Sequence, residues 1–239
     1  MILKTYSYLT IIPLFFLIAC QEAPNKNKAA ETQKVIVKDT ISVDSVVNSE
    51  DKKEDDFVLT DDNAINFFFK YSKTVTEDKV KLTTQFGTIT IQLFDDVPYH
   101  KANFIYLTKK GYFDNTMFHR VVKGFIIQGG NADNKETGIK RSKIGRYLLP
   151  PDAHKGHRHD RGVVSMPSSE IGNPHMLASP YEFFIVVTKP GSYHLDGDYT
   201  PFGKVIDGMD VVDKINSQPV GQGDWPLQNV YILKAEVVK

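Results

Sequence analysis

Thirteen consecutive residues constrain this chain more than any other stretch: Phe118-His119-Arg120-Val121-Val122-Lys123-Gly124-Phe125-Ile126-Ile127-Gln128-Gly129-Gly130. Two strand-like runs, Met117 to Val122 and Phe125 to Gln128, flank Lys123-Gly124, a turn signal. Side chains alternate along a strand, so Phe118, Arg120 and Val122 are expected on one face of the first run, and Ile126 and Gln128 on one face of the second. A buried or half-buried arginine needs a partner. This stretch offers Gln128 and no carboxylate. An ordinary hairpin with a salt-bridged Arg120 is the plain alternative to a functional surface.

The surrounding pattern is that of a β protein. Lys81 to Gln85 and Thr88 to Leu93 alternate apolar with polar around Phe86-Gly87, which reads as a hairpin. Pro98 is placed to open a helix, with Ala102, Ile105, Tyr106 and Leu107 at helical spacing and Gly111 at its end. Gly208 to Ile215 reads as a second helix, apolar at Val211, Val212 and Ile215. Val230 to Val237 alternates as a last strand. Short strands separated by Gly, Pro, Asn and Asp turns argue for a closed barrel.

At these residues the chain resembles the cyclophilins, the peptidyl-prolyl cis–trans isomerases that carry a nearly identical Phe-His-Arg-Val, Gly-Phe and Gln-Gly-Gly segment. Arg161-Gly162-Val163-Val164-Ser165-Met166, Phe183-Phe184-Ile185, Leu195-Asp196-Gly197 and Phe202-Gly203-Lys204-Val205 extend the resemblance, which runs from about residue 79 to 239. It implies a mainly β fold: a closed eight-stranded barrel with two capping helices. It also implies isomerisation of X–Pro bonds in unfolded or extended polypeptides, with no cofactor and no metal. Arg120 is the implied catalytic residue. Phe125, Ile126, Met166, Phe184 and Leu195 are implied to line the proline pocket, and Gln128 to hold the substrate backbone or orient Arg120.

The chain departs from that pattern at several places. Glu182 stands where most members carry glutamine, and either pairs with Arg120 or binds a substrate amide. Pro167-Ser168-Ser169 replaces the family's Ala-Asn-Ala substrate strand, and a proline removes one backbone donor. His194 takes the position of a tryptophan that in many eukaryotic members contributes to cyclosporin affinity, and Tyr199 that of the histidine after the Leu-Asp-Gly turn. Glu182 and Tyr199 are counted with the substrate-binding residues.

Residues 1–19 read as a signal peptide: Lys4, an apolar run from Leu9 to Ile18, then Leu17-Ile18-Ala19-Cys20. The run is short for a membrane span. Leu-Ile-Ala-Cys resembles a bacterial lipobox, which makes Cys20, the sole cysteine, the expected lipidation site and membrane attachment. Residues 20–56 lack aromatics and are rich in Lys, Glu, Asp, Asn and Ser, so they read as a tether reaching about 30 Å as a random coil. The localisation expected is the cell envelope, periplasmic or outer-membrane associated. Residues 57–78 read as an accessory helical segment capped by Thr60 or Asp61, with Ile65, Phe68 and Phe69 on its packed face.

Lysine plus arginine balance aspartate plus glutamate at 29 each, so nothing points to nucleic acid. His154, His157 and His159 sit in a long stretch from Asn131 to Asp160 and read as a solvated loop; their spacing leaves metal binding as the alternative. A non-enzymatic peptide-binding chaperone or scaffold is the rival to isomerase, because a fold does not fix a function.

Overall fold

The computed structural model describes residues 57–168 and 173–239. The leader, Cys20 and the tether lie outside these residues, as does Ser169.

Ten strands are present among the described residues: β1 (Leu59–Thr60), β2 (Lys79–Thr84), β3 (Gly87–Leu93), β4 (Thr116–Val122), β5 (Ile126–Asn131), β6 (Gly145–Arg146), β7 (Val163–Met166), β8 (Phe183–Val186), β9 (Thr200–Asp207) and β10 (Tyr231–Val238). Eight of them close into a barrel in the order β10-β2-β3-β9-β7-β8-β5-β4. Closure pairs every edge of the barrel, so none of its eight strands is left as a template for aggregation. Alternation drives the inward face: Val80 and Leu82 of β2, and Ile89, Ile91 and Leu93 of β3, are buried. Phe104, Phe113, Phe118, Phe183 and Phe202 fill the main core with edge-on and tilted ring contacts.

Four helices accompany the barrel: α1 (Ala64–Ser72), α2 (Pro98–Lys109), α3 (Lys135–Ile144) and α4 (Met209–Asn216). Pro98 stands in the first turn of α2, as its sequence position predicts. Val211, Val212 and Ile215 of α4 are buried. The two capping helices expected from sequence are α2 and α4.

The accessory helix α1 differs from expectation in cap and face. Its N-cap is Asn63, whose Oδ1 accepts the Thr60 N–H at 2.8 Å, while Asp61 accepts the Leu148 N–H at 3.0 Å. Ala64 and Phe68 are buried, whereas Ile65 is 36% and Phe69 49% exposed. The packed face is set by i,i+4 columns: Ala64 with Phe68, and Phe67 with Tyr71. The rings of Phe67, Phe68 and Tyr71 all meet Tyr106 of α2 within 6 Å. Ile65 and Phe69 sit on the next column round and miss that contact.

Helix α3 and strand β6 occupy what the sequence presented as a loop. Only Ile139 and Ile144 are large apolar residues in α3, so no 3.6-residue stripe announces it. Polar contacts hold it instead: Asn134 caps it by accepting the Thr137 N–H at 2.8 Å, Lys140 donates to the Asp114 carbonyl and Arg141 to the Tyr112 hydroxyl, both at 2.8 Å. Strand β6 then pairs in parallel with β1.

Strand β4 also corrects a reading. Register shifts lie on both sides of Phe118, between Met117 and Phe118 and between Phe118 and Arg120. A bulge adds one residue and changes which face follows. Phe118 and Val121 therefore enter the main core, while Arg120 and Val122 stay half-buried on the other side.

Candidate active site

A cavity of about 770 Å³ opens on the β4–β5–β8 side of the barrel. Its apolar part is a small core of its own, separate from the barrel interior: Ile126, Phe184, Val186 and Leu195, with Val122, Phe125 and Tyr199 packed against them. Ile126, Phe184 and Leu195 keep only 4%, 3% and 9% of their surface exposed. The Tyr199 ring meets Phe184 edge-on at 5.6 Å, and the His194 ring stacks on Phe125 at 5.4 Å. Arg120 and Gln128 are direct cross-strand partners, and both line the cavity. His119, Arg146, Pro167, Ser168, Ser179 and Glu182 complete the wall. Met166 does not join it: it is 1% exposed and packs in the main core, because alternation along β7 turns it inward.

Distant side chains fix this wall. Asn216, the last residue of α4, closes the Lys123-Gly124 turn by donating to the carbonyls of Val122 (2.9 Å) and Ile126 (3.2 Å) and accepting the Gly124 N–H at 2.8 Å. Gly130 has φ +100°, and a Cβ there would run into the Tyr181 carbonyl oxygen, so the residue after Gly129 has to be glycine if β5 is to approach the segment carrying Glu182. Asn103 of α2 donates to the Pro180 carbonyl at 2.8 Å and accepts from the Tyr147 hydroxyl at 2.7 Å, anchoring the same segment.

Of the two readings from sequence, pairing of Glu182 with Arg120 does not occur. The Glu182 Oε2 accepts from Gln128 Nε2 at 2.9 Å and lies 3.5 Å from His119 Nε2; its Oε1 is 3.5 Å from Asn131 Nδ2 and 3.9 Å from Arg141. Burial pushes the Glu182 carboxyl up, but the hydrogen bonds and charges of His119, Gln128 and Arg141 outweigh it and hold the group below the usual carboxylate value. Arg120 instead faces Asp224 at 3.5 Å, with both side chains about two-fifths exposed (43% and 41%). A pair this exposed contributes at most about 1 kcal/mol, so the guanidinium is available to the cavity.

Beneath the apolar floor lies a second polar set. His159 is fully buried; its Nδ1 is 2.7 Å from Asp196 Oδ1 and its Nε2 3.0 Å from Ser165 Oγ. The solvated-loop reading is thus corrected for His159. It also fails for His157, which stacks on Phe94 at 4.0 Å and reaches Asp96 at 2.9 Å; His154 alone of the three is exposed. Burial lowers the His159 pKa, against the opposing pull of Asp196.

The structure therefore brings Arg120, Phe125, Ile126, Gln128, Glu182, Phe184, Leu195 and Tyr199 to one cavity and leaves Met166 behind. His119, Arg141, Arg146 and Asp224 were not identified from sequence. The partners of His119, Arg141 and Asp224 are far away along the chain, and no local spacing marks any of the four.

The family model for cyclophilin type peptidyl-prolyl cis-trans isomerase/CLD matches residues 79–237. Peptidyl-prolyl cis-trans isomerase CYP18-1 of Arabidopsis thaliana is 38% identical over 160 residues, 66% of this chain and 94% of that protein. Peptidyl-prolyl cis-trans isomerase B of Escherichia coli is 35% identical over 164 residues, covering 64% and 95%. Peptidyl-prolyl cis-trans isomerase-like 2 of Rhizopus delemar is 36% identical over 171 residues, but the match spans only 30% of its length. Among solved structures, a Cryptosporidium parvum cyclophilin type peptidyl-prolyl cis-trans isomerase superposes with a TM-score of 0.57 at 28% identity, over 68% of this chain and 98% of that one. The same protein in the presence of the dipeptide Ala-Pro gives 0.56 at 29%, over 67% and 99%.

Proposed function

The chain belongs to the cyclophilin-type peptidyl-prolyl cis-trans isomerase family, and from that premise we propose that it exchanges X–Pro bonds in extended or unfolded polypeptides, with Arg120 as the donor to the twisted amide. The observation that carries this reading is the cross-strand pairing of Arg120 and Gln128 above the Phe125, Ile126, Phe184 and Leu195 floor.

The chemistry asks for little. Amide resonance sets a rotational barrier of about 18–20 kcal/mol, and exchange takes tens to hundreds of seconds although the trans preference is small. In the twisted state the prolyl nitrogen becomes pyramidal and regains a lone pair. A donor aimed at that lone pair stabilises the transition state and leaves the planar ground state alone. A guanidinium stays charged at all working pH values and offers several N–H groups. The apolar floor takes the proline ring out of water, which strengthens the donor's field.

Protease-coupled or NMR exchange measurement on a short X–Pro peptide tests the proposal. Acceleration that Arg120→Ala abolishes supports it. Peptide binding without acceleration overturns it in favour of the binding scaffold, for which the loss of a backbone donor at Pro167 speaks.

For the whole chain, the role we propose is assistance to proteins folding in the cell envelope, with lipid on Cys20 tying the domain to a membrane. The support is Leu17-Ile18-Ala19-Cys20 after an apolar run, and the absence of any other cysteine. Membrane fractionation and intact mass of wild type and Cys20→Ser test it: membrane association and lipid mass should both vanish in the variant.

A further inference from the structure

We propose that a second cavity, beside the first, binds an acidic side chain of the same polypeptide whose X–Pro bond occupies the active site. This deepens the reading above and rests on it. The cavity measures about 630 Å³, and the buried Leu59, Tyr147, Pro180 and Tyr181 give it an apolar floor. Arg146 and Ser179 line both cavities, so the two meet at these residues. One wall comes from the accessory segment that carries Leu59 and Thr60, which lies outside residues 79–237, the stretch that matches the family model. The site is an addition of this chain to the shared barrel.

The accessory segment also fixes where Arg146 stands. Strands β1 and β6 pair with Leu59 opposite Gly145 and Thr60 opposite Arg146. Gly145 has φ +128°, and a Cβ there would run into the Leu59 backbone, so only glycine lets the two strands close. The Tyr181 hydroxyl donates to the Gly145 carbonyl at 2.6 Å and ties β6 to the residue before Glu182. Arg146 follows this anchor directly. It is exposed, and its side chain has no ion-pair or hydrogen-bond partner among the described residues. Arg141 supplies a second cation to the cavity. Its Nε bonds the Tyr112 hydroxyl, but its Nη2 is buried without a hydrogen-bond partner, and Glu182 at 3.9 Å is too far to provide one. No acidic residue lines the cavity, and Asp61, next to Thr60, is engaged by the Leu148 N–H. Two guanidinium groups over an apolar floor suit a carboxylate on a short aliphatic stem: the arginine fork takes its two oxygens, and the stem covers the floor.

The test is a titration with peptides that hold one X–Pro bond and a single glutamate, moved stepwise to either side of it, each matched by a glutamine version. At one register the glutamate peptide should bind wild type about fivefold more tightly than its glutamine twin. High salt should shrink that ratio, because Arg146 is exposed. Arg146→Gln should bring the ratio close to one, and Arg146→Glu should invert it and favour a lysine peptide at the same register. Ser142 of α3 is exposed and lines the second cavity but not the first. Ser142→Glu supplies a competing carboxylate there and should abolish the glutamate preference, with exchange on the glutamine peptide as the check that the variant folds. A preference that survives both Arg146→Gln and Ser142→Glu would place the acidic side chain on Arg120 and overturn the assignment. Exchange with no preference at any register would overturn it too. A preference without exchange supports the second cavity and sinks the isomerase reading alone.

Discussion

The ring of His159 lies within 12° of parallel to the ring of Phe184, with centroids 6.1 Å apart, while its nitrogens reach Asp196 and Ser165. Three elements are tied at this point, two of which, β8 and the turn carrying Leu195, build the apolar floor. Ser165 belongs to β7, Phe184 to β8, and Asp196 follows Leu195 at the end of a short 3-10 turn. The Asp196 carboxylate also accepts the His159 backbone N–H at 2.8 Å. His159 thus supports the floor from below without touching the cavity.

Replacing His159 by alanine should therefore cost about 2–3 kcal/mol of stability, the usual penalty for leaving buried polar partners unsatisfied. It should also loosen peptide binding by freeing Leu195 and Phe184. Urea denaturation and a peptide titration check both effects. His159→Ala with wild-type stability would show that the buried set is dispensable.

His100 makes a prediction about acid. It is fully buried in α2, no described residue bonds either ring nitrogen, and burial pushes its pKa down to about 3. The unfolded chain protonates near 6.5, so the unfolded state binds the proton first. Stability from the neutral ring is complete above that value and is lost as pH falls from 6.5 towards 3, by about 1.4 kcal/mol per unit. His159 acts in the same direction, and the depressed carboxyls of Glu182 and Asp196 add their own losses below the ordinary carboxylate range. Across pH 7 to 5, wild type should lose stability faster than His100→Leu; parallel profiles in urea melts would contradict this.

His194 bears on inhibitor binding. It stacks on Phe125 at the rim of the floor and is exposed, at the position where, by the resemblance, many eukaryotic members carry a tryptophan that contributes to cyclosporin affinity. An imidazole offers less apolar area than an indole. Cyclosporin should bind weakly by calorimetry, and His194→Trp should tighten it by about tenfold or more, one added contact of roughly 1.4 kcal/mol. Nanomolar affinity in the wild type would contradict the argument.

What the sequence reveals and what it conceals divide by the range of the interaction. The barrel strands, α2 and α4 are written in local alternation, helical spacing and turn residues, and so are Arg120, Gln128 and Phe125, which share one hairpin. The bulge beside Phe118 is not, since an extra residue in one strand has no signature in an otherwise regular pattern. Helix α3 is hidden because polar contacts hold it. Glu182 is visible as an unusual residue, yet its partners His119, Asn131 and Arg141 come from β4, β5 and α3, and only the fold selects them over Arg120.

The pair of Arg120 and Asp224 carries the sharpest expectation. Asp224 lies in a turn just before Trp225, and its carboxylate is 3.5 Å from the guanidinium with both groups well exposed. Such a pair is weak and yields to a stronger acceptor. Asp224→Asn should therefore change the exchange rate by no more than about threefold, in either direction, and leave stability within about 0.5 kcal/mol. Arg120→Ala should remove about a hundredfold or more, the scale of one lost transition-state donor, while peptide Kd and stability stay close to wild type because the lost contact forms mainly in the twisted state. Arg120→Lys should rescue poorly, since a point-charge ammonium cannot hold the geometry of the planar fork. Exchange kinetics on one X–Pro peptide across the wild type and three variants decides the matter. Equal rates for wild type and Arg120→Ala would remove Arg120 from the chemistry and leave the cavity as a peptide-binding surface.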